Sequence, residues 1–127
     1  MSAYLDTHVA LRLAHAELAQ ISQAAIDTIA KMDLLISPMV LLELEYLFEL
    51  KKESRLTAED VQRKLEYELG ARVCGHSFAS IAKVASGEKW TRDPFDRMIV
   101  AHAKANGLSV LLSADRLIRQ NYPKAVW

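Results

Sequence analysis

Short apolar runs separated by stretches of helical spacing limit the folds open to this 127-residue chain. The clearest run is Leu108-Ser109-Val110-Leu111-Leu112, nearly continuous in apolar residues, as expected of a parallel strand covered on both faces. Tyr4-Leu5 ends a first strand, Leu34-Leu35-Ile36 and Ala71 to Cys74 read as two more, and Ala125 to Trp127 adds an edge strand. Between them, residues from about 8 to 31 carry Leu11, Leu18, Ile21, Ala25 and Ile29 at helical spacing, as a short helix and a longer one. Ser37-Pro38 is an N-cap followed by proline at the first helical position, and its helix is expected to run to about Glu53. Thr57 to Asp60 starts another helix that Gly70 ends as a left-handed cap. Helices are also expected over 77–86 and from Asp93-Pro94 to Asn106-Gly107. Strands alternating with helices define an α/β class with a mainly parallel central sheet flanked by helices, in one domain spanning 1–127. The charged stretch from Lys51 to Arg63 reads as a solvated helical hairpin, and there is no internal repeat or linker.

At 51% hydrophobic and 25% charged residues the chain has the balance of a soluble globule. Cys74 is the only cysteine, so no disulfide is available and nothing suggests an oxidising compartment. Met1 to Asp6 lacks the basic start and long apolar stretch of a signal peptide, and no run reaches membrane-spanning length; a cytoplasmic location is expected. Net charge is zero, which by itself speaks against a nucleic-acid partner. If four acids are committed to a metal, sixteen basic residues face twelve acids, and the total becomes neutral on the question.

Four acids fall where an α/β sheet builds sites. Asp6 and Asp115 each follow an apolar strand, at the edge where open parallel sheets bind ligands. Each can equally be a loop-capping residue. Glu43 lies among Val40, Leu44, Tyr46 and Leu47, in or beside the apolar stripe of its helix, where an ionised carboxylate is costly unless paired or metal-bound. A salt bridge to Arg97 is the alternative. Asp93 is accounted for as the N-cap in front of Pro94. Asp96, at the third helical position, is followed by Ile99, Val100 and Ala103 at spacings that put it on the buried side, which makes it the better ligand candidate. Carboxylates converging in this way suit Mg²⁺ or Mn²⁺, which can activate water and stabilise charge in phosphoryl transfer.

Other chemistries find less support. His8, His15, His76 and His102 have no zinc-like spacing, and the four glycines are too scattered to cradle phosphate. A phosphotransferring aspartate of the haloacid-dehalogenase type would want an acid two residues after Asp6, and His8 stands there. Thr7 and Ser113 can hydrogen-bond a carboxylate, although hydroxyls at such places more often cap. Arg92 and Arg97 flank the acids and can touch phosphate or pair with a carboxylate. Trp90 and Trp127 can stack on bases but suit a core or an interface better.

Four blocks together resemble the PIN domain family, and within it the VapC-type toxins of toxin–antitoxin pairs. They are Tyr4-Leu5-Asp6-Thr7-His8, Ile36-Ser37-Pro38 leading to Leu42-Glu43-Leu44, Arg92 to Ala103, and Leu111-Leu112-Ser113-Ala114-Asp115. The resemblance implies that Asp6, Glu43, Asp96 and Asp115 are the metal-binding catalytic acids, with Thr7, Asp93, Arg97 and Ser113 in supporting positions. Ser113 stands where such proteins usually have threonine, which keeps the hydroxyl. It further implies Mg²⁺ or Mn²⁺ as cofactor, single-stranded RNA as substrate, a cognate antitoxin, and a homodimer formed through the helices between about 38 and 69. The alternatives are a housekeeping RNA-processing nuclease, or a binding or scaffold module of the same fold. Loss of a site acid would favour the last, and none is lost.

Overall fold

The computed structural model describes all 127 residues. Five strands, β1 (Ser2–Leu5), β2 (Asp33–Ile36), β3 (Arg72–Val73), β4 (Val110–Leu112) and β5 (Ala125–Val126), form one sheet in the order β3-β2-β1-β4-β5. Every pairing is parallel, with Tyr4 opposite Leu35 on one side and Leu111 on the other. The chain therefore steps outward through β1, β2 and β3, then returns to lay β4 on the free side of β1. That reversal opens a crevice at the carboxyl ends of β1 and β4, the usual place for a site in such sheets.

Seven α-helices connect the strands: α1 (Thr7–Ala14), α2 (Gln23–Lys31), α3 (Pro38–Glu49), α4 (Ala58–Leu69), α5 (Phe78–Ala85), α6 (Pro94–Ala105) and α7 (Arg116–Asn121). The helix starts follow the residues that predict them. Ser37 caps α3 ahead of Pro38, Thr57 caps α4 through the Asp60 N–H at 3.1 Å, and Asp93 caps α6 through the Phe95 N–H at 2.8 Å. Gly70 ends α4 in the left-handed region at φ 66°.

The helix and strand ends hold the surprises. The stretch expected as a short helix and a longer one holds two helices of similar length: Ala16 turns left-handed at φ 56°, a 3₁₀ turn covers Leu18–Gln20, and Ser22 caps α2. Helix α3 stops at Glu49 rather than Glu53 because Lys51 also adopts a positive φ, 55°. Leu108 at φ 54° delays β4 to Val110, two residues after its expected start. Helix α7, which follows Asp115, was not among the helices expected.

Packing follows the apolar positions. Ala3, Tyr4 and Leu5 of β1 are completely buried, as are Ile36, Leu111 and Leu112 of its neighbours. Val9, Leu44, Leu65, Ile99 and Ile118 bring α1, α3, α4, α6 and α7 into the same core. Each such aliphatic side chain contributes on the order of 2 kcal/mol by leaving water. Trp90 and Trp127 pack against this core, and the Trp90 indole N–H donates to Glu88 at 2.7 Å, so both tryptophans are structural. Helix α3 touches α1, α4 and α6, which fixes Glu43 relative to Asp6 and Asp96.

Candidate metal centre

Asp6 leaves β1 at the crevice and caps α1, its Oδ1 accepting the Thr7 N–H at 2.8 Å. Its backbone N–H donates to the Leu112 carbonyl of β4 at 3.0 Å, which locks it to the adjoining strand. Ser113, one residue past β4, donates its hydroxyl to Asp6 Oδ2 at 2.6 Å. The same hydroxyl oxygen accepts the Asp115 N–H at 3.1 Å, and Asp115 in turn caps α7 through the Ile118 N–H at 3.0 Å. The Thr7 hydroxyl donates to Glu43 Oε1, so β1, α1 and α3 are joined at one residue. Thr7 and Ser113 thus both support carboxylates, each from a fully buried position.

Asp6, Glu43, Asp93, Asp96 and Asp115 line a single cleft of about 340 Å³ together with His8 and Arg12. All four acids singled out from the sequence meet there. Asp93 joins them while serving as the cap of α6. Asp96 differs from the others: its carboxylate accepts no hydrogen bond from the protein, whereas Asp6, Glu43 and Asp115 each accept at least one. The side chains as placed do not chelate, because no three His, Cys, Asp or Glu groups stand close enough together to hold a metal ion.

The electrostatics carry the same signature. Burial raises the Asp6 carboxyl above its usual range, against the opposing hydrogen bonds from Ser113 and Thr7. Burial also raises Glu43, opposed by the Thr7 hydroxyl and reinforced by the charges of Asp6 and Asp93. Asp96 is pushed up to about 7, first by burial and then by Asp93, Asp6, Asp115 and Glu43. Asp96 thus feels four other carboxylates with no hydrogen-bond donor to relieve it.

Two expectations for the arginines need correction. Arg97 does not pair with Glu43 and does not line the cleft; its Nε donates to the Thr91 carbonyl at 2.8 Å and tethers the loop ahead of α6. Arg92 is exposed and also outside the cleft. The cation that does reach the cleft is Arg12, which the sequence reading missed. Arg12 lies four residues after His8, on the same face of α1, and that spacing was the available signal. It is held by Glu17 at 3.1 Å, and His8 by Glu53 at 2.8 Å.

A parallel α/β domain with hard oxygen donors gathered at its switch point defines a class of candidate metal-dependent phosphoryl-transfer proteins. The chain belongs to the PIN domain family, whose sequence model matches residues 3–122. Comparison with curated proteins returns no match. Among solved structures, a chain in the crystal structure of VapBC2 from Rickettsia felis bound to a DNA fragment from their promoter is similar in fold. It has a TM-score of 0.63 and 18% identity over 99% of this chain and 96% of that one.

Proposed function

We propose that this protein is an endoribonuclease that works with Mg²⁺ or Mn²⁺, and that it is the toxin of a type II toxin–antitoxin pair. The observation that carries the nuclease reading is the convergence of Asp6, Glu43, Asp96 and Asp115 on one cleft, with Asp96 unpaired and raised to about 7. The donor chemistry fits such a cation: all four are carboxylates, and no nitrogen or sulfur donor competes apart from His8, which is held by Glu53. Asp6, Glu43 and Asp96 would hold the principal ion, with Asp115 beside them to hold a second ion or orient water. A divalent cation held by these acids would supply a water of lowered pKa and positive charge to offset charge developing on a phosphoryl group.

The chain's own residues do the rest. Ser113 and the Thr7 N–H keep Asp6 in one orientation, and the Thr7 hydroxyl does the same for Glu43. With Asp6 and Glu43 held, the inward movement that would bring the carboxylates to one ion falls to the acids with fewer bonds. Asp96 keeps its freedom to rotate. Arg12 at the rim can meet a phosphate oxygen once a strand enters, in exchange for Glu17.

The toxin reading draws on the similarity to a chain of the VapBC2 structure and on the character of the cleft. Five carboxylates in a small open cleft invite a partner that inserts an arginine or lysine among them and offsets their repulsion. Leu42, Tyr46 and Leu50 of the α3 segment and Tyr67 and Leu69 of α4 are exposed, and we infer that they form a homodimer face. No helix is long and apolar enough to cross a membrane, and we place the protein in the cytoplasm.

Calorimetric titration of Mn²⁺ tests the centre. Saturable binding is expected in the wild type and its loss in Asp6→Asn, Glu43→Gln and Asp96→Asn; unchanged binding in all three would overturn the assignment. For the toxin reading, expression of the chain alone is expected to arrest growth, and normal growth with no co-purifying partner would remove it.

A further inference from the structure

We propose that a second, wholly polar cleft beside the carboxylates is a binding track for the phosphate backbone of single-stranded RNA, with Lys51, Lys52 and Arg55 as its phosphate contacts, an inference that rests on the nuclease reading above. The cleft has a volume of about 300 Å³ and no hydrophobic lining. It lies between the loop that follows α3 and the His15–Glu17 corner after α1. The two clefts abut across two ion pairs. His8 and Arg12 line the carboxylate cleft, while their partners Glu53 and Glu17, at 2.8 and 3.1 Å, line the second.

Lys51, Lys52 and Arg55 are exposed and form no ion pair within the chain. Their loop is nevertheless fixed. Within it the buried Ser54 closes a turn, donating to the Leu56 carbonyl at 2.7 Å and accepting the Leu56 N–H at 3.0 Å. The Arg55 N–H donates to His15 Nε2 at 3.3 Å. Three free cations on an anchored loop, one cleft away from the carboxylates, match what a bound strand needs. A phosphodiester seated among five acids is repelled by them until cations compensate, and the chain as a whole carries no net positive charge. The grip on the neighbouring phosphates must then come from a local positive surface adjoining the cleft, and this loop is one. Glu17 and Glu53 set the boundary: each occupies a cation that an incoming phosphate would otherwise take.

Fluorescence polarisation of a labelled single-stranded RNA, in an Asp96→Asn background that spares the strand, tests the track. Lys51→Ala/Lys52→Ala/Arg55→Ala is expected to weaken binding roughly tenfold and to lower the slope of log affinity against log salt by about 2. Glu17→Gln/Glu53→Gln is expected to tighten it. Melting curves check each variant, and single Lys52→Ala and Arg55→Ala changes carry the measurement should the triple variant melt early. RNA affinity and salt slope unchanged by these substitutions would overturn the track, as would a loss confined to a polyglutamate peptide, which would mark the loop as a site for acidic protein segments. Hydrolysis of bis(p-nitrophenyl) phosphate by the wild-type protein with Mn²⁺ reports on the carboxylate cleft separately. That substrate is too small to reach the loop, so its failure removes the nuclease reading while the RNA binding result still decides the track.

Discussion

Asp96 concentrates the chemistry of the cleft, because it alone among the four candidate ligands has no donor to share its charge. Its folded value of about 7 lies well above the roughly 3.9 of an unfolded aspartate. A raised carboxyl favours folding while protonated, so its contribution is fully present below the unfolded value and lost as pH rises through about 7. Asp96→Asn is therefore expected to raise Tm most at pH 8 and clearly less at pH 5, which lies inside the window between the two values; equal effects at both would contradict the electrostatic origin. The same titration sets cation binding: affinity is expected to climb with pH and level off above about 7, with proton release falling in step. Thr7→Val removes the hydroxyl that holds Glu43 and is expected to cost about tenfold in Mn²⁺ affinity with little change in fold. At this scale the meeting of the four acids in one cleft was legible from the sequence, because each sits at or near the start of an element whose cap or apolar stripe marks the place. The partners of the arginines were not. Arg97 turns to the Thr91 carbonyl and Arg12 turns inward through a pairing with Glu17, and neither choice is set by local spacing.

Among the elements, starts were easier to place than ends. Capping side chains announce a helix start chemically, whereas the ends of α1 and α3 and the late start of β4 go with non-glycine residues at positive φ, Ala16, Lys51 and Leu108, that carry no sequence mark. Their N–H groups close local turns, onto the Leu13, Phe48 and Lys104 carbonyls. Helix α7 was missed because its six residues bury one side chain, Ile118, too little for an apolar period to register. Gly70 is the opposite case, a left-handed end with the residue suited to it. Gly70→Ala is expected to cost about 1 kcal/mol in denaturant unfolding, and an unchanged midpoint would show that α4 does not depend on its cap.

For the whole molecule, the parallel sheet and its chain reversal create the site, since β1 and β4 become neighbours only when the chain returns across the sheet. The alternation of short apolar runs and helices made that architecture readable, and every strand expected is present, though β3 to β5 are shorter. The exposed Leu42 and Tyr46 on α3 bear on the proposed assembly: by light scattering the wild type is expected to be a dimer and Leu42→Asp a monomer. The central claim is that the carboxylate cleft is a cation-dependent ribonuclease centre. Its most direct measurement is cleavage of a 3′-labelled single-stranded RNA by the wild-type protein in Mg²⁺ or Mn²⁺, with and without excess chelator, beside the Asp6, Glu43, Asp96 and Asp115 single variants. The expected result is 5′-phosphate ends formed only with cation and lost in each variant; cleavage that persists in chelator, or in all four variants, would contradict it.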